Sequence, residues 1–184
     1  MTIRSAAVVL SLLAPLGAVA DPAPCGEGWT PGFGWQSVTG GAAAITPATH
    51  EGREMLLIAG EITGAVGVIG EGEVHHAVLW DGEVVRSPLP AGYDGARPAA
   101  VWAMVAAPEE MGGGVFAAGR FYADADASVA YSRIAHYDEG GWTIIAPVSA
   151  LVHDLAIFDE GAGPRLFVGG EFLLINNESI SYLA

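Results

Sequence analysis

The feature that most constrains this chain is a stretch that occurs three times in it without gaps. The copies are Ala42–Ile62, Val101–Phe121 and Val152–Phe172. Each copy contains an apolar run, a turn, and a second apolar run that leads to a glycine. None shows the 3.6-residue periodicity of an amphipathic helix. A repeat of about 50 residues made of short strands predicts a repeat architecture.

Four strands, called a to d, are predicted in each complete unit. Strands a and b open and close the repeated stretch. Strand c ends in an aromatic residue and an aspartate, and strand d follows a turn whose glycine suits a tight hairpin. The b–c loops shorten by two residues from unit to unit, which keeps the strand c side chains on the same face. The predicted ranges are Ala42–Ala48, Val101–Ala107 and Val152–Phe158 for strand a, Met55–Gly60, Gly114–Gly119 and Arg165–Gly170 for strand b, His76–Asp81 and Arg133–Asp138 for strand c, and Glu83–Arg86 and Trp142–Ala146 for strand d.

Four antiparallel strands per unit predict an all-β chain built of β-propeller blades. Within a partial propeller at 34–184, an orphan outer strand is predicted at 34–41, blade 1 at 42–86, blade 2 at 101–146 and a truncated blade 3 at 152–184. Because propellers usually have about four to eight blades, about three blades make an incomplete ring. We therefore expect the remaining blades of the same protein to be missing from this sequence, with a ring formed by two copies as the alternative.

The amino terminus has the pattern of a secretory signal peptide. Arg4 precedes the apolar run Ala6–Leu16, and Ala18-Val19-Ala20 is the small-x-small pattern that signal peptidase cuts. The run is too short to span a bilayer comfortably. We predict a signal peptide at 1–20, an extended lead-in at 21–33, and a secreted protein that is extracellular, periplasmic or at the cell surface.

The charge of the chain is strongly acidic and excludes one class of partner. Seven arginines and no lysine stand against 21 acidic residues, a formal net charge of −14 at pH 7. Such a surface repels phosphate backbones, so nucleic acid is not expected as a partner. No membrane span is expected after the signal peptide. The single cysteine, Cys25, cannot form a disulfide within the chain.

Several motifs resemble a known repeat family. Gly169-Gly170 follows an apolar strand, Trp80-Asp81-Gly82 and Tyr137-Asp138 end strand c, and Trp142 opens strand d. This pattern resembles the kelch-type β-propeller repeat. It is closest to the LFVGGxF…IAxWDGxxW repeats of uncharacterised secreted bacterial propellers, over about residues 35–184. The chain departs from that pattern at Ala59-Gly60, Ala118-Gly119 and Val84-Val85. The resemblance implies a fold more than a function, because propellers serve as enzymes, receptors and scaffolds.

The candidate binding residues lie in the longest loops. The b–c and d–a loops of a blade emerge on one face of a propeller, and long loops on a rigid scaffold commonly carry binding residues. The predicted binding face comprises Glu71, Glu73, Tyr93, Asp94, Arg97, Asp124 and Asp126. Asp124, Asp126 and Ser128 alternate like calcium ligands, but Val129 replaces the turn glycine of a calcium loop. They are weak metal candidates, and no cofactor is expected.

Three functions are compatible with these patterns, one of which is a purely structural repeat module in a larger surface protein. The first is a secreted scaffold or binding module for a protein or glycan, which the acidic loops favour. The alternative is an extracellular hydrolase or lyase acting on polysaccharide, with its catalytic residues in absent blades. No catalytic set is recognised in the sequence, so a binding role is favoured over an enzyme.

Overall fold

The computed structural model describes residues 38–65, 68–69, 74, 76–89, 93–124, 128–180 and 183. These residues form strands and turns with a single 3-10 turn, Glu109–Met111, which confirms the all-β prediction. The strands are β1 Val38–His50, β2 Arg53–Ala65, β3 Val68–Ile69, β4 Ala77–Trp80, β5 Val85–Arg86, β6 Arg97–Ala106, β7 Val115–Tyr122, β8 Tyr131–Asp138, β9 Gly141–Pro147, β10 Val152–Asp159, β11 Pro164–Gly170, β12 Leu174–Ile175 and β13 Glu178–Ser179. The predicted signal peptide, the lead-in and residues 34–37 lie outside the described residues.

The strands make four sheets, none of them closed into a barrel. The first sheet has the order β1-β2-β4-β5-β3, the second β6-β7-β8-β9, the third β10-β11 and the fourth β12-β13. Every pairing is antiparallel except the short parallel contact of β3 with β5. Strands a to d of the first two units thus pair in chain order as predicted. Residues 38–41, the described part of the predicted orphan strand, belong to β1 and pair with β2.

The three a–b hairpins have one geometry. Hairpin 1 (β1–β2), hairpin 2 (β6–β7) and hairpin 3 (β10–β11) share their register: Ile45 lies opposite Ile58, Met104 opposite Ala117 and Leu155 opposite Val168. Each has a register shift at the same place in strand a, which marks a β-bulge. The shifts fall between Ala42 and Ala44, Val101 and Ala103, and Val152 and Asp154. The sequence repeat is therefore a structural repeat.

The bulge explains which glycine of the repeat is needed. A Cβ atom at Gly60, Gly119 or Gly170 would collide with the backbone carbonyl just before the bulge, that of Gly41, Ala100 or Leu151. The preceding position is open, since a Cβ at Gly169 would have no heavy atom within 4 Å. Alanine stands there in the first two units, as Ala59 and Ala118. The departures from the paired-glycine motif are thus at the position that tolerates a side chain.

Strand c also keeps its register. Val78 lies opposite Ile58, and Ala135 lies opposite Ala117, at equivalent positions of the first two units. In the third unit, Leu183 forms a bridge with Gly169. Alignment of the repeats places that bridge where Ala77 meets Ala59 and Ile134 meets Ala118. The two-residue steps in loop length therefore leave the pairing unchanged.

The hairpins stack so that the second sheet, in the middle, is packed on both of its faces. β6 packs against β1 and β2 on one side and against β10 on the other. One apolar cluster joins the first and second sheets through Leu57, Val101 and Ala117. Another joins the second and third sheets through Phe116 and Leu155. The period-2 alternation of strand b places successive residues in different clusters.

Trp142, which opens strand d, is buried between the first and second sheets. It is 3% exposed, and its ring lies 5.1 Å from that of Tyr137 and 5.3 Å from that of Phe121, centroid to centroid. Val85 holds the equivalent place in the first sheet, opposite Trp80, and is completely buried. A valine thus fills the space where the repeat pattern has a tryptophan.

Candidate functional site

The predicted loop face is described in part. Glu71, Glu73 and Asp126 lie outside the described residues. The structure brings Arg97 and Asp124 together: Arg97 Nη1 donates a hydrogen bond to the Asp124 carbonyl oxygen at 3.2 Å. The Arg97 guanidinium also lies 4.9 Å from the centroid of the Tyr122 ring, a cation–π contact. Arg97 therefore fixes the end of β7 to the start of β6.

Tyr93 has a structural role. Its hydroxyl donates to the carbonyl oxygen of Trp142 at 2.7 Å and accepts from the Trp142 amide at 2.9 Å. Burial raises the pKa of Tyr93, with the nearby carboxylates of Asp138 and Asp94 acting in the same direction. The residue that follows, Asp94, is exposed. The loop before β6 is thus attached to β9 through the phenol, while the Asp94 carboxylate faces solvent.

The weak metal candidates Asp124, Asp126 and Ser128 are described in part. Ser128 is exposed, and Asp126 lies outside the described residues. Among the residues that the structure describes, no three histidine, cysteine or acidic side chains come together as a possible metal site. In the same part of the chain, no helix is long and apolar enough to cross a membrane.

Two surface hollows flank Glu54 at the start of β2. The inter-sheet hollow, of about 300 Å³, lies between the a–b turns of hairpins 1 and 2. Two carboxylates, Glu54 and Glu109, stand among small residues of its lining. That lining is Pro47, Ala48, Thr49, Glu54, Ala106, Ala107, Glu109, Gly113 and Gly114. The hollow therefore combines an apolar surface with negative charge.

The second hollow lies within the first sheet. The turn hollow, of about 270 Å³, is lined by Glu54, Met55, Leu56, Trp80, Asp81 and Gly82. Asp81 Oδ1 accepts hydrogen bonds from the Val84 amide at 2.8 Å and the Glu83 amide at 3.1 Å. Those two bonds, and more weakly the guanidinium groups of Arg53 and Arg86, hold the pKa of Asp81 below its ordinary value. Asp81 is therefore ionised, and it holds the c–d turn in place.

Contacts between the first two units fix the surface around the inter-sheet hollow. Tyr137 Oη lies 3.2 Å from His50 Nδ1 and donates to the Pro88 carbonyl oxygen at 3.2 Å. The Gly52 amide donates to Glu139 Oε1 at 3.3 Å. These bonds tie the a–b turn of the first unit to the c–d turn of the second. The surface at this end is therefore built jointly by both units.

His136 supports the opposite wall of the inter-sheet hollow. Its Nε2 lies 2.6 Å from the carbonyl oxygen of Gly113, and only a donor can pair with that oxygen, so Nε2 carries a proton. Gly114 has a φ of 74°, and a Cβ there would collide with the Tyr137 carbonyl oxygen. Both features fix the glycine turn against the second sheet. The wall is thus positioned by β8.

The inter-sheet hollow was not anticipated by the sequence, which directed attention to the long loops. Its lining comes from short turns on two sequence-distant hairpins, and only the stacking of those hairpins brings Glu54 and Glu109 to one hollow. The repeat alignment could have pointed to this hollow, because it predicts that the a–b turns of neighbouring units lie side by side. Chemically, the hollow suits a ligand with an apolar part and hydrogen-bond donors or positive charge.

Comparison with known proteins identifies no relative. No protein-family model matches the chain, and neither a curated protein nor a solved structure is found similar to it.

Proposed function

We propose that this chain is a secreted binding module made of β-propeller blades, and that the inter-sheet hollow receives a segment of a protein ligand. The observation that carries this proposal is that Glu54 and Glu109 both line one hollow, among small uncharged residues, between two sheets joined by hydrogen bonds. Carboxylates on an otherwise small, uncharged lining favour a ligand with lysine or arginine side chains. The net charge of −14 attracts such a ligand at longer range.

The difference between the residues that recur in the repeat and those that do not supports a role as a scaffold for binding. The residues that recur between units maintain backbone geometry: Gly60 and its equivalents make room for the bulge, and Asp81 and Asp138 each accept a hydrogen bond from a backbone amide of their own c–d turn. The two carboxylates lining the hollow are not kept in all three units, since Glu54 aligns with Gly113 and Pro164, and Glu109 aligns with His50 and Glu160. This is expected where a constant framework carries a variable surface. The kelch resemblance and the signal-peptide pattern support propeller blades and secretion.

The test is a binding screen with the purified protein against an array of lysine- and arginine-containing peptides and an array of neutral glycans. We expect saturable binding of basic peptides, weakened by salt. The double variant Glu54→Gln, Glu109→Gln should weaken it about tenfold or more, since hydrogen bonds to charged groups each contribute about 1.5–3 kcal/mol.

Glu61→Gln is the matched control, because Glu61 is an exposed carboxylate of the same strand outside the hollow. It removes one charge and should leave binding nearly unchanged. If the protein bound only glycans and the double variant lost that binding, the inter-sheet hollow would still be the binding site, but its ligand would be a glycan and not a peptide. Saturable binding of neither array, or peptide binding that the double variant retains, would refute the proposal.

A further inference from the structure

Arginine side chains gather at one end of the second sheet, on the loop face predicted from the sequence. Arg97 begins β6, Arg120 lies two residues before the end of β7, and Arg133 is the third residue of β8. They are three of the seven arginines of a chain whose formal net charge is −14. Positive charge is therefore concentrated at one place on an otherwise acidic protein.

The contacts of Arg120 leave its charge in place. Arg53, Arg86 and Arg165 lie 3.6, 3.7 and 3.8 Å from carboxylate oxygens. Arg120 Nη2 instead donates to the carbonyl oxygen of Ala130 at 3.2 Å. Because a carbonyl oxygen has no net charge, this bond positions the guanidinium without neutralising it.

Arg97 and Arg120 approach Tyr122 from opposite sides. Arg97 lies opposite Tyr122 in the pairing of β6 with β7, with its guanidinium 4.9 Å from the centroid of the tyrosine ring. The register of β7 with β8, continued by one residue, places Ala130, which holds Arg120, beside Tyr122 on the other side. Arg120 and Tyr122 share one face of the sheet by alternation. Two guanidinium groups thus flank one aromatic ring.

The surroundings of this arginine pair, Arg97 and Arg120, are open to solvent and carry further polar groups. Arg120 and Asp124 are exposed, and Ser132 is half-buried. Ser132 lies opposite Arg120 and shares its face of the sheet. The Asp124 carbonyl oxygen accepts from Arg97 Nη1 at 3.2 Å, which places the start of the b–c loop beside the pair. Hydroxyl and carboxylate groups therefore border the two guanidinium groups.

We propose that the arginine pair binds the carboxylate of a uronic acid residue in a polysaccharide. A planar guanidinium donates to a carboxylate through parallel N–H groups, which makes arginine the preferred partner of such a ligand. The hydroxyl groups of the same sugar can donate to Ser132 and Asp124. An acidic peptide or a sugar chain with a charge on every residue fits less well, because its further carboxylates would be repelled by Asp124 and by the net charge of −14.

This site is separate from the inter-sheet hollow. It lies at the opposite end of hairpin 2 from the a–b turn that lines the hollow. It therefore does not depend on the ligand proposed there.

The test is calorimetric titration with an oligosaccharide in which glucuronic acid alternates with a neutral sugar. The same oligosaccharide with its carboxyl groups reduced to alcohols is the control ligand. Salt at about 0.15 M screens the repulsion between charges more than about 8 Å apart. We expect saturable binding of the acidic form, and binding about tenfold or more weaker for the reduced form and for Arg120→Gln. The double variant Glu54→Gln, Glu109→Gln should bind the acidic form like the wild type.

Arg165→Gln is the matched control, since it removes the same charge from an exposed arginine of hairpin 3 and should leave binding unchanged. Thermal melting checks that each variant is folded, with Arg120→Lys as a milder replacement that keeps the charge. The proposal is overturned if the acidic oligosaccharide does not bind saturably, if the reduced form binds equally well, or if Arg120→Gln binds like the wild type. An equal loss in Arg165→Gln also overturns it, because net charge alone then governs binding. Saturable binding only of a glutamate-containing peptide would assign the arginine pair to a protein ligand and refute the sugar.

Discussion

Hairpin 2 and hairpin 3 have the same backbone and different surroundings. Both have the bulge in strand a, the same register and the glycine that the bulge requires. Yet Phe116 is 6% exposed, while Phe167 is half-buried beside Phe158, which is 61% exposed. The backbone geometry of a hairpin is therefore determined by its own sequence, whereas the burial of its side chains depends on the next hairpin. Substitutions at equivalent positions of hairpins 2 and 3 can measure separately the stability that comes from the hairpin itself and the stability that comes from burial by the next hairpin.

The largest expected effect is on the covered phenylalanine. Phe116→Ala should lower the free energy of unfolding by about 3–5 kcal/mol, because it opens a cavity between the second and third sheets. Phe167→Ala should cost about 1 kcal/mol, since solvent already reaches the ring. Urea unfolding of both variants measures the contrast at low salt and low protein concentration. Equal losses would mean that the equivalent positions are equally packed in solution.

An intermediate effect is expected at the glycine beside the bulge. Gly119→Ala should cost about 2–3 kcal/mol, because its Cβ would collide with the Ala100 carbonyl oxygen and the two strands would have to separate. Gly170→Ala meets the Leu151 carbonyl oxygen in the same way but should cost less, since hairpin 3 has more room to shift. Thermal and urea unfolding give both values.

Gly169→Ala is the control for the glycine series. A Cβ at that position has open space around it, and alanine already occupies the equivalent positions 59 and 118. The variant should unfold within about 0.5 kcal/mol of the wild type. If it were as unstable as Gly170→Ala, the bulge would not be the reason for the glycine.

The smallest effect concerns Tyr137, which is completely buried between the first two sheets. Burial, followed by the carboxylates of Asp138 and Glu139, raises its pKa far above the ordinary value. The unfolded chain therefore loses the phenol proton first as pH rises above about 10, and that phenol's contribution to stability falls. Tyr137→Phe should cost about 1 kcal/mol at neutral pH, through the lost bonds to His50 and Pro88.

Above about pH 10 the difference between wild type and Tyr137→Phe should shrink, because the variant has no such proton to lose. Urea unfolding across that pH range measures the difference. Tyr131→Phe is the control for removing a phenol hydroxyl at an exposed position, since Tyr131 is 59% exposed. A constant gap between wild type and Tyr137→Phe would show that the phenol titrates alike in both states.

The repeat alignment predicted most of the fold because it reports local geometry. The equivalence of Ile58, Ala117 and Val168 holds in every a–b pairing. Strand ends were less predictable: β1 extends past both ends of the predicted Ala42–Ala48. At its start, the pairing with β2 continues through Gly40 and Gly41, a residue type that favours turns in isolation. Whether the sheets form propeller blades stays a prediction.

The site was less predictable because it depends on contacts between distant segments. Long loops suggested Tyr93 as a binding residue, yet its hydroxyl is bonded to Trp142, 49 positions away. A hydrogen bond between residues so far apart in the chain produces no repeating pattern in the sequence from which it could be predicted. In contrast, the c–d turn at Asp81-Gly82 was predicted, because aspartate before glycine is a short-range turn pattern. The structure adds the hydrogen bonds from the Glu83 and Val84 amides to Asp81.

The position of β6, packed against β1 and β2 on one side and β10 on the other, has a consequence for how the molecule opens. When each unit contacts only its neighbours, the stability of the stack is approximately the sum of the stabilities of its units and of the interfaces between adjacent units. Amide protons of β11 would then exchange with solvent through fraying of the last hairpin alone. The amide protons of β7 would exchange only through an opening that disrupts two interfaces at once. Protection against exchange should therefore increase from the end of the stack toward its centre.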